Sequence, residues 1–275
     1  MTAAVRGPEQ APRLRRMAEA AAAGGRARAR GAAWQPPAGL VAVAGLLVLW
    51  QAAAALLGEE ALAGPLPAAQ RLLTMLEAPR YRGDFLVTLG GFLLALVISW
   101  GGGLVLAAWF GLRRFAAEVG EPMLASFYAV PKVTLYPIVL LLFGLGTAPV
   151  VAFGVMHGIV PVVLIGAAAI RNLRPAVTRT ARMMRLGRRA TVLHVLLPAI
   201  MPELLNALRT GFSLTLLGTL IGQMFGGKSG LGFLLMRAIN VADGDTIMAI
   251  ALLLLSFALL ANWGMGRLAR RYAHP

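Results

Sequence analysis

The side chains able to do chemistry in this chain are few and scattered. Its three histidines, His157, His194 and His274, lie far apart, and the acidic residues stand singly, mostly at the ends of apolar runs. No His-Glu-x-x-His, phosphate-loop or Gly-x-Ser-x-Gly pattern is present, so zinc hydrolysis, nucleotide cleavage and serine acyl chemistry lack their usual residues. There is no cysteine, which excludes disulfides, thiolate metal sites and cysteine nucleophiles. What remains is a set of polar residues inside apolar stretches: Lys132 between Pro131 and Pro137, then His157, Arg209 and Gln223. An ionisable group in such a place must face protein or water. Lys132, Arg209 and Gln223, with the two prolines, are therefore the candidates to line a route. His157, standing alone, reads as a hydrogen-bonded contact between helices.

The elements around them are set by composition. Of 275 residues, 59% are hydrophobic and 13% charged, and the mean hydropathy is +0.75. One soluble core of this size does not hide that much apolar surface, so lipid is part of the solvent. The net charge of +15 would suggest nucleic acid in a soluble chain. Here the charges cluster between apolar spans with almost no interleaved aromatics, which fits membrane orientation and gives no nucleic-acid reading.

Apolar runs at 39–57, 85–110, 122–142, 149–170, 201–225 and 246–266 predict an all-α polytopic membrane protein with about six transmembrane helices. The third is interrupted by Pro131, Lys132 and Pro137, and each proline removes a donor and kinks the helix. A break of this kind is tolerated at membrane depth only beside protein or a water-filled cavity. Gly90, Gly91 and Gly101 to Gly103 in the second span read as close-packing positions. A short helix is expected near 68–76, and a tight turn at 143–146.

Basic residues crowd the segment 1–35, the 111–121 turn, the 171–194 loop and the tail, and are sparse in the alternate segments. That pattern predicts both termini in the cytoplasm. Residues 1–37 form a basic cytoplasmic arm, and 38–275 the transmembrane domain. Arg15–Arg16 has poor flanks for a twin-arginine signal. The Ala61–Ala63 segment resembles a cleavage site, but the run at 39–57 is nearer a span of ~20 residues than a signal core of ~7–15, so it is read as a retained helix.

The stretch from Arg171 to Leu235 is organised differently. An arginine-laden loop ends at Pro198, an apolar span follows, and a Gly-Gly-Lys-Ser-Gly-Leu-Gly turn closes it. Within the loop, Val177, Ala181, Met184 and Leu186 recur at helical spacing, with Arg174, Arg182, Arg185, Arg188 and Arg189 filling much of the remainder. Such an amphipathic helix either lies among anionic headgroups or seats in a groove on a partner.

The segment 192–235, with Ala-Val-Pro-Lys-Val-Thr-Leu-Tyr-Pro-Ile-Val-Leu-Leu-Leu-Phe-Gly-Leu-Gly at 129–146 and Ser-Gly-Leu-Gly-Phe-Leu at 229–234, resembles the inner-membrane permeases of binding-protein-dependent ABC importers. The nearest branch is the nitrate, sulfonate and taurine type, and the likeness covers roughly residue 65 onward. Members carry an E-A-A-x3-G-x9-I-x-L-P loop that docks on the ATPase. Val195, Leu197 and Pro198 fit its end and Ala181 its second alanine. Arg179, Thr180 and Arg185 replace the glutamate, first alanine and glycine, and Gly187 lies two residues late. Gln223 stands where this branch often has glutamate.

The resemblance implies a type I importer permease fold in a bacterial inner membrane and no enzyme activity. It implies a coupling loop at 171–198, with Ala181, Arg182, Met184, Arg185, Gly187, Val195, Leu197 and Pro198 as the ATPase-facing set. It implies a permease homodimer, an ATPase dimer that binds the ATP, and a periplasmic or lipid-anchored binding protein that delivers a small solute. No cofactor or metal of the chain's own is expected. The rivals are a membrane-embedded enzyme, for which a clustered polar set is missing, and a membrane scaffold, which gives the kinked span and basic loop no task.

Overall fold

The computed structural model describes residues 38–58, 62–173 and 187–273, and within 174–186 only Val177, Arg179, Met183 and Met184. These residues fall into two compact units that divide after Ala53. The basic arm at 1–37 lies outside the described residues. Helix α1 (Ala38–Leu57) has 20 residues and no charged side chain. At 1.5 Å per residue it is about as long as a bilayer core is thick.

The unit that begins at Ala54 holds the other elements. They are α2 (Pro65–Glu77), α3 (Pro79–Leu112), α4 (Arg114–Ala129), a 3-10 turn (Lys132–Leu135), α5 (Tyr136–Phe143) and α6 (Thr147–Arg171). After the loop come α7 (Arg188–Thr191), a π-helical segment (Val192–Leu196), α8 (Leu197–Gly226), α9 (Leu231–Asn240) and α10 (Gly244–Ala273). All regular structure among the described residues is helical. Four helices are long and apolar enough to cross a membrane, and a fifth span arises if α4 and the 132–143 segment count as one. The expected runs at 85–110, 149–170, 201–225 and 246–266 fall in α3, α6, α8 and α10, and the short helix expected near 68–76 is α2.

The third expected span is different from a kinked helix. Its two halves meet at 92°. Pro131 forces the preceding residue out of the helical region, and Val130 is extended at φ −68°, ψ 132°. Pro137 cannot donate to the carbonyl four residues back, so regular helix restarts only at Tyr136.

Helix α6 is the centre of the packing: 61% of its apolar window is buried, against 17% for α10. It lies against α3 on one side and α8 on the other. Close approach is possible because the α6–α8 crossing is built from Gly154, Gly158, Gly211, Gly218 and Gly222, with Thr215 and Thr219. A Cβ on Gly218 would stand 2.7 Å from the Phe153 carbonyl oxygen, and one on Gly222 3.0 Å from Val150 Cα. Buried apolar area gives little drive between helices in lipid, so this contact is held by the dispersion that close approach allows. Thr219 Oγ1 donates to the Thr215 carbonyl at 2.9 Å and Thr215 Oγ1 to Ser99 Oγ at 3.4 Å, which ties in α3. Beside it, Phe92 of α3 meets Phe212 of α8 edge-on at 5.0 Å and Phe257 of α10 at 6.1 Å. The glycines expected to pack in α3 divide: Gly102 and Gly103 abut Ile159 and Val162, whereas Gly90 and Gly101 face open space.

A branched side chain at the crossing should therefore be costly. Gly158→Val would press on Thr215 and on the Gly211 carbonyl 3.0 Å away, and is expected to lose roughly 1–3 kcal/mol or more to overpacking. Gly101→Ala, in open space, is expected to be neutral or slightly stabilising. Thermal unfolding of the two variants in detergent separates them.

Candidate functional site

The candidate route begins at the broken helix. Where α4 stops, the Tyr128 carbonyl loses the N–H that a continuing helix would supply. Lys132 replaces it: Nζ donates to Tyr128 O at 3.2 Å and stands 4.6 Å from the Tyr128 ring centre and 5.8 Å from that of Phe127. The side chain is 8% exposed, so the cation is held by a helix C-terminus and two aromatic faces. Thr134 returns both its N–H and its hydroxyl to the Pro131 carbonyl, at 3.0 and 2.7 Å. Tyr136 bolts the restart to the core: its hydroxyl donates to Gly222 O at 2.7 Å and its ring meets Phe153 edge-on at 4.8 Å. Pro131 and Pro137 are themselves exposed.

Gln223 sits at the far end of α8 and is 1% exposed. Its Oε1 accepts the Gly232 N–H at 3.0 Å and lies 3.0 Å from Thr88 Oγ1. Thr88 Oγ1 in turn accepts the Leu231 N–H at 2.7 Å, and Asp84 Oδ1 accepts the Gly230 N–H at 2.6 Å. Three successive N–H groups at the start of α9 are thus met by Asp84, Thr88 and Gln223. Gly230 has a φ of +109°, and a Cβ there would run into the Gln223 amide. The Ser-Gly-Leu-Gly turn is therefore glycine for both conformation and space.

A second clasp closes the same end. Asp243 caps α10, accepting the Thr246 N–H at 3.0 Å and its hydroxyl at 2.6 Å. Arg71 of α2 donates to Thr246 Oγ1 at 3.0 Å and lies 3.6 Å from Asp243. The Thr246 hydroxyl, aided by its N–H and by the Arg71 charge and opposed by partial burial, holds the Asp243 carboxyl below the usual carboxylate range.

Arg209 is exposed on α8. Its Nε donates to Asn262 Oδ1 of α10 at 2.7 Å, and Asn262 Nδ2 donates to Ala258 O at 2.9 Å. His157 packs against Gly218 of α8, but its hydrogen bond stays within α6: Nδ1 lies 2.9 Å from the Phe153 carbonyl oxygen, four residues back.

The arginine-rich loop is described at its ends. Arg171, its first residue, makes a bidentate ion pair with Glu121 of α4. Val177 lines a cavity with Asn172, Ala199, Ile200 and Glu203. Met184 is 63% exposed, and a Cβ at Gly187 would meet nothing. Val195 and Leu197 are half-buried and Pro198 exposed. Ala181, Arg182 and Arg185 lie outside the described residues. The π segment just before Pro198 has a local cause: the Leu197 N–H bonds Val192 O, one residue further back than in an α-helix, and Pro198 has no N–H to offer.

Sequence reading did not single out Thr88, Asp84, Asn262, Tyr136 or Glu121. Thr88 and Tyr136 are ordinary residues for a helix, and their partners lie 135 and 86 positions away. Among the described residues, no group of three or more His, Asp or Glu could hold a metal ion.

Thr88→Val would keep the shape of the α9 latch and leave the Leu231 N–H buried without its acceptor. A loss of ~1–3 kcal/mol in unfolding free energy is expected, with Thr88→Ser retaining most of it. Because the Asp243 carboxyl is held low, its stabilisation is complete above the ordinary carboxylate range and is lost as pH falls through its folded value. Melting curves taken from about pH 5 down to about pH 3 should fall more steeply for the unaltered protein than for Asp243→Asn.

A family model described as the binding-protein-dependent transport system inner membrane component matches residues 101–274. The chain is 28% identical over 233 residues to a probable ABC transporter permease of Haemophilus influenzae, covering 85% of this chain and 95% of that protein. It is 31% identical over 231 residues to a riboflavin transport system permease of Chloroflexus aurantiacus, covering 82% and 85%. It is 22% identical over 232 residues to a nitrate import permease of Synechococcus elongatus, covering 81% and 83%. These relatives are transport permeases and not enzymes. A helical bundle with several apolar spans, a proline-broken helix and a glycine-built turn is thus matched by sequence likeness over most of its length. The chain belongs to the family of inner-membrane components of binding-protein-dependent ABC importers, multi-pass permeases whose partners are an ATPase and a substrate-binding protein.

Proposed function

We propose that this chain lines the translocation pathway of an ATP-driven importer for a small solute, and that the 171–198 loop couples it to the ATPase. The observation that carries the reading is the 92° break at Pro131. Val130 and Pro131 leave non-helical backbone on the surface of one chain, with Val130 41% exposed. At membrane depth such backbone needs protein or a water-filled path beside it. Two copies facing each other across an aqueous route supply both, so the assembly is a homodimer. Arg209, exposed on α8, faces the same kind of environment for the same reason. Lys132 holds the break open as its cap. Gln223 acts by positioning: it fixes the outer turn before α9 without being exposed to solute.

Both termini and the 171–198 loop lie in the cytoplasm, as the arginine distribution supports. There Ala181, Arg182, Met184, Arg185 and Gly187 face the ATPase, which binds the ATP; the exposed Met183 and Met184 give that face an apolar anchor. When ATP-driven closure of the ATPase moves the loop, Val195, Leu197 and Pro198 carry that movement into α8. The solute belongs with the nitrate, sulfonate and taurine type or a related small molecule, selected largely by the binding protein.

The test is reconstitution in liposomes with the ATPase and binding protein of the same transporter. The unaltered chain should show binding-protein-stimulated ATP turnover coupled to uptake. The double variant Pro131→Ala/Pro137→Ala should assemble with the ATPase and lose most uptake. Full uptake with both prolines replaced would sink the pathway assignment of the break.

A further inference from the structure

Helix α10 is packed on one side only. There Phe257, Ala258, Ala261 and Met265 lie against Phe92, Leu96, Phe212 and Leu216. On the open side Leu255, Leu259, Trp263 and Arg267 follow one another at intervals of four, so they share a face. The first three are exposed apolar side chains, Trp263 at 57%. Arg267, also exposed, ends the stripe, with its guanidinium carbon 3.9 Å from the Trp263 ring centre. Beyond that stack Arg267 has no hydrogen-bond or ion-pair partner among the described residues, and the Trp263 indole N–H has no acceptor among them.

The depth of this pair follows from the helix. The clasp of Arg71, Asp243 and Thr246 marks one polar boundary of α10. From Thr246 to Arg267 the helix rises ~32 Å at 1.5 Å per residue, about the thickness of a bilayer core. Arg267 therefore stands where the headgroups begin. Trp263 lies one turn deeper, at the level that interfacial tryptophans occupy. Charge at this level of α10 has a single sign. Arg270 and Arg271 follow in the same helix, and the sequence holds no Asp or Glu after Asp245. Stacking holds the guanidinium in place and leaves its in-plane N–H groups open, and such a fork matches two oxygens of a phosphate. The indole N–H just below can meet an ester carbonyl of the same lipid. A headgroup amine finds no carboxylate on α10 here, so a lipid of net negative charge is favoured over a zwitterionic one.

We propose that the Trp263–Arg267 face of α10 binds an anionic phospholipid. The phosphodiester sits on the Arg267 fork and an acyl chain runs along Leu259 and Leu255, with Arg270 and Arg271 adding positive charge at the same level. The proposal uses none of the pathway or coupling residues, and it holds for either orientation of the chain in the membrane, so it stands apart from the importer reading.

The test places the full chain in phosphatidylcholine vesicles holding a minor share of phosphatidylglycerol, with dibrominated acyl chains on one lipid at a time, and reads tryptophan fluorescence. The Trp263 signal is the difference between the unaltered protein and Trp263→Phe. Its quenching should show phosphatidylglycerol enriched at least about fivefold over its share of the bilayer, the preference that one arginine near an anionic surface supports. The enrichment should shrink at high salt, fall by a similar factor in Arg267→Gln and largely persist in Arg267→Lys. Quenching by each lipid in proportion to its share overturns the proposal, as does an enrichment that Arg267→Gln leaves unchanged. Loss of the enrichment when millimolar inorganic phosphate replaces chloride at matched ionic strength would make this a free-anion site, which also overturns it. If bound ATPase shields Trp263 from both brominated lipids, the face is a protein contact and the proposal falls.

Discussion

The larger unit depends on how closely α6 can approach α8. In lipid, two apolar helices gain little by leaving the solvent, because the solvent is as apolar as they are. What holds them is the number of atoms that reach contact distance, which is set by the absence of side chains. The row Gly211, Gly218 and Gly222 lets α8 lie almost backbone to backbone on α6, and Gly154 and Gly158 do the same from the other side. Thr215, Thr219 and Ser99 keep their hydroxyls satisfied inside that seam. The rest of the unit is attached to this pair.

The broken helix shows the attachment. Two prolines remove the donors that would keep α4 and α5 in one rod, and the freed carbonyls have to be met locally. Lys132 meets one at Tyr128, Thr134 meets that of Pro131, and Tyr136 reaches across to Gly222 on α8. The bend is thereby a fixed shape and not a loose joint, since its carbonyls are met locally and its restart is tied to α8. The same end of α8 is organised by the same rule. There Asp84, Thr88 and Gln223 serve the N–H groups that open α9, and those groups would have no helical partner otherwise.

The helices themselves were legible in the sequence because hydropathy over a span of membrane length is a strong, local signal. The runs at 85–110, 149–170, 201–225 and 246–266 lie inside α3, α6, α8 and α10, and the family likeness was carried by 192–235. Local chemistry also placed the break at Pro131 and Pro137, but not its size: a kink and a 92° turn differ in what the neighbouring residues can satisfy, and that is tertiary. The partners of polar residues were illegible for the same reason. Nothing in the sequence joins Gln223 to Thr88 or Arg209 to Asn262. Nor does it distinguish Gly103, which touches Val162, from Gly101, which touches nothing. These facts depend on the phase of one helix against another.

Among the described residues, that phase is altered inside the run from Arg188 to Gly226. The π segment at Val192–Leu196 takes one more residue per turn than the helices on either side. One extra residue rotates everything before it by about 100° relative to everything after it. A single helical wheel drawn from Arg188 through Gly226 therefore assigns the wrong compass bearing to one of its two ends. Were the segment to tighten into regular α-helix, the chain before it would have to swing by that same angle about the axis of α8. The wider turn is, in mechanical terms, a stored quarter-turn of thread between the loop and the bundle.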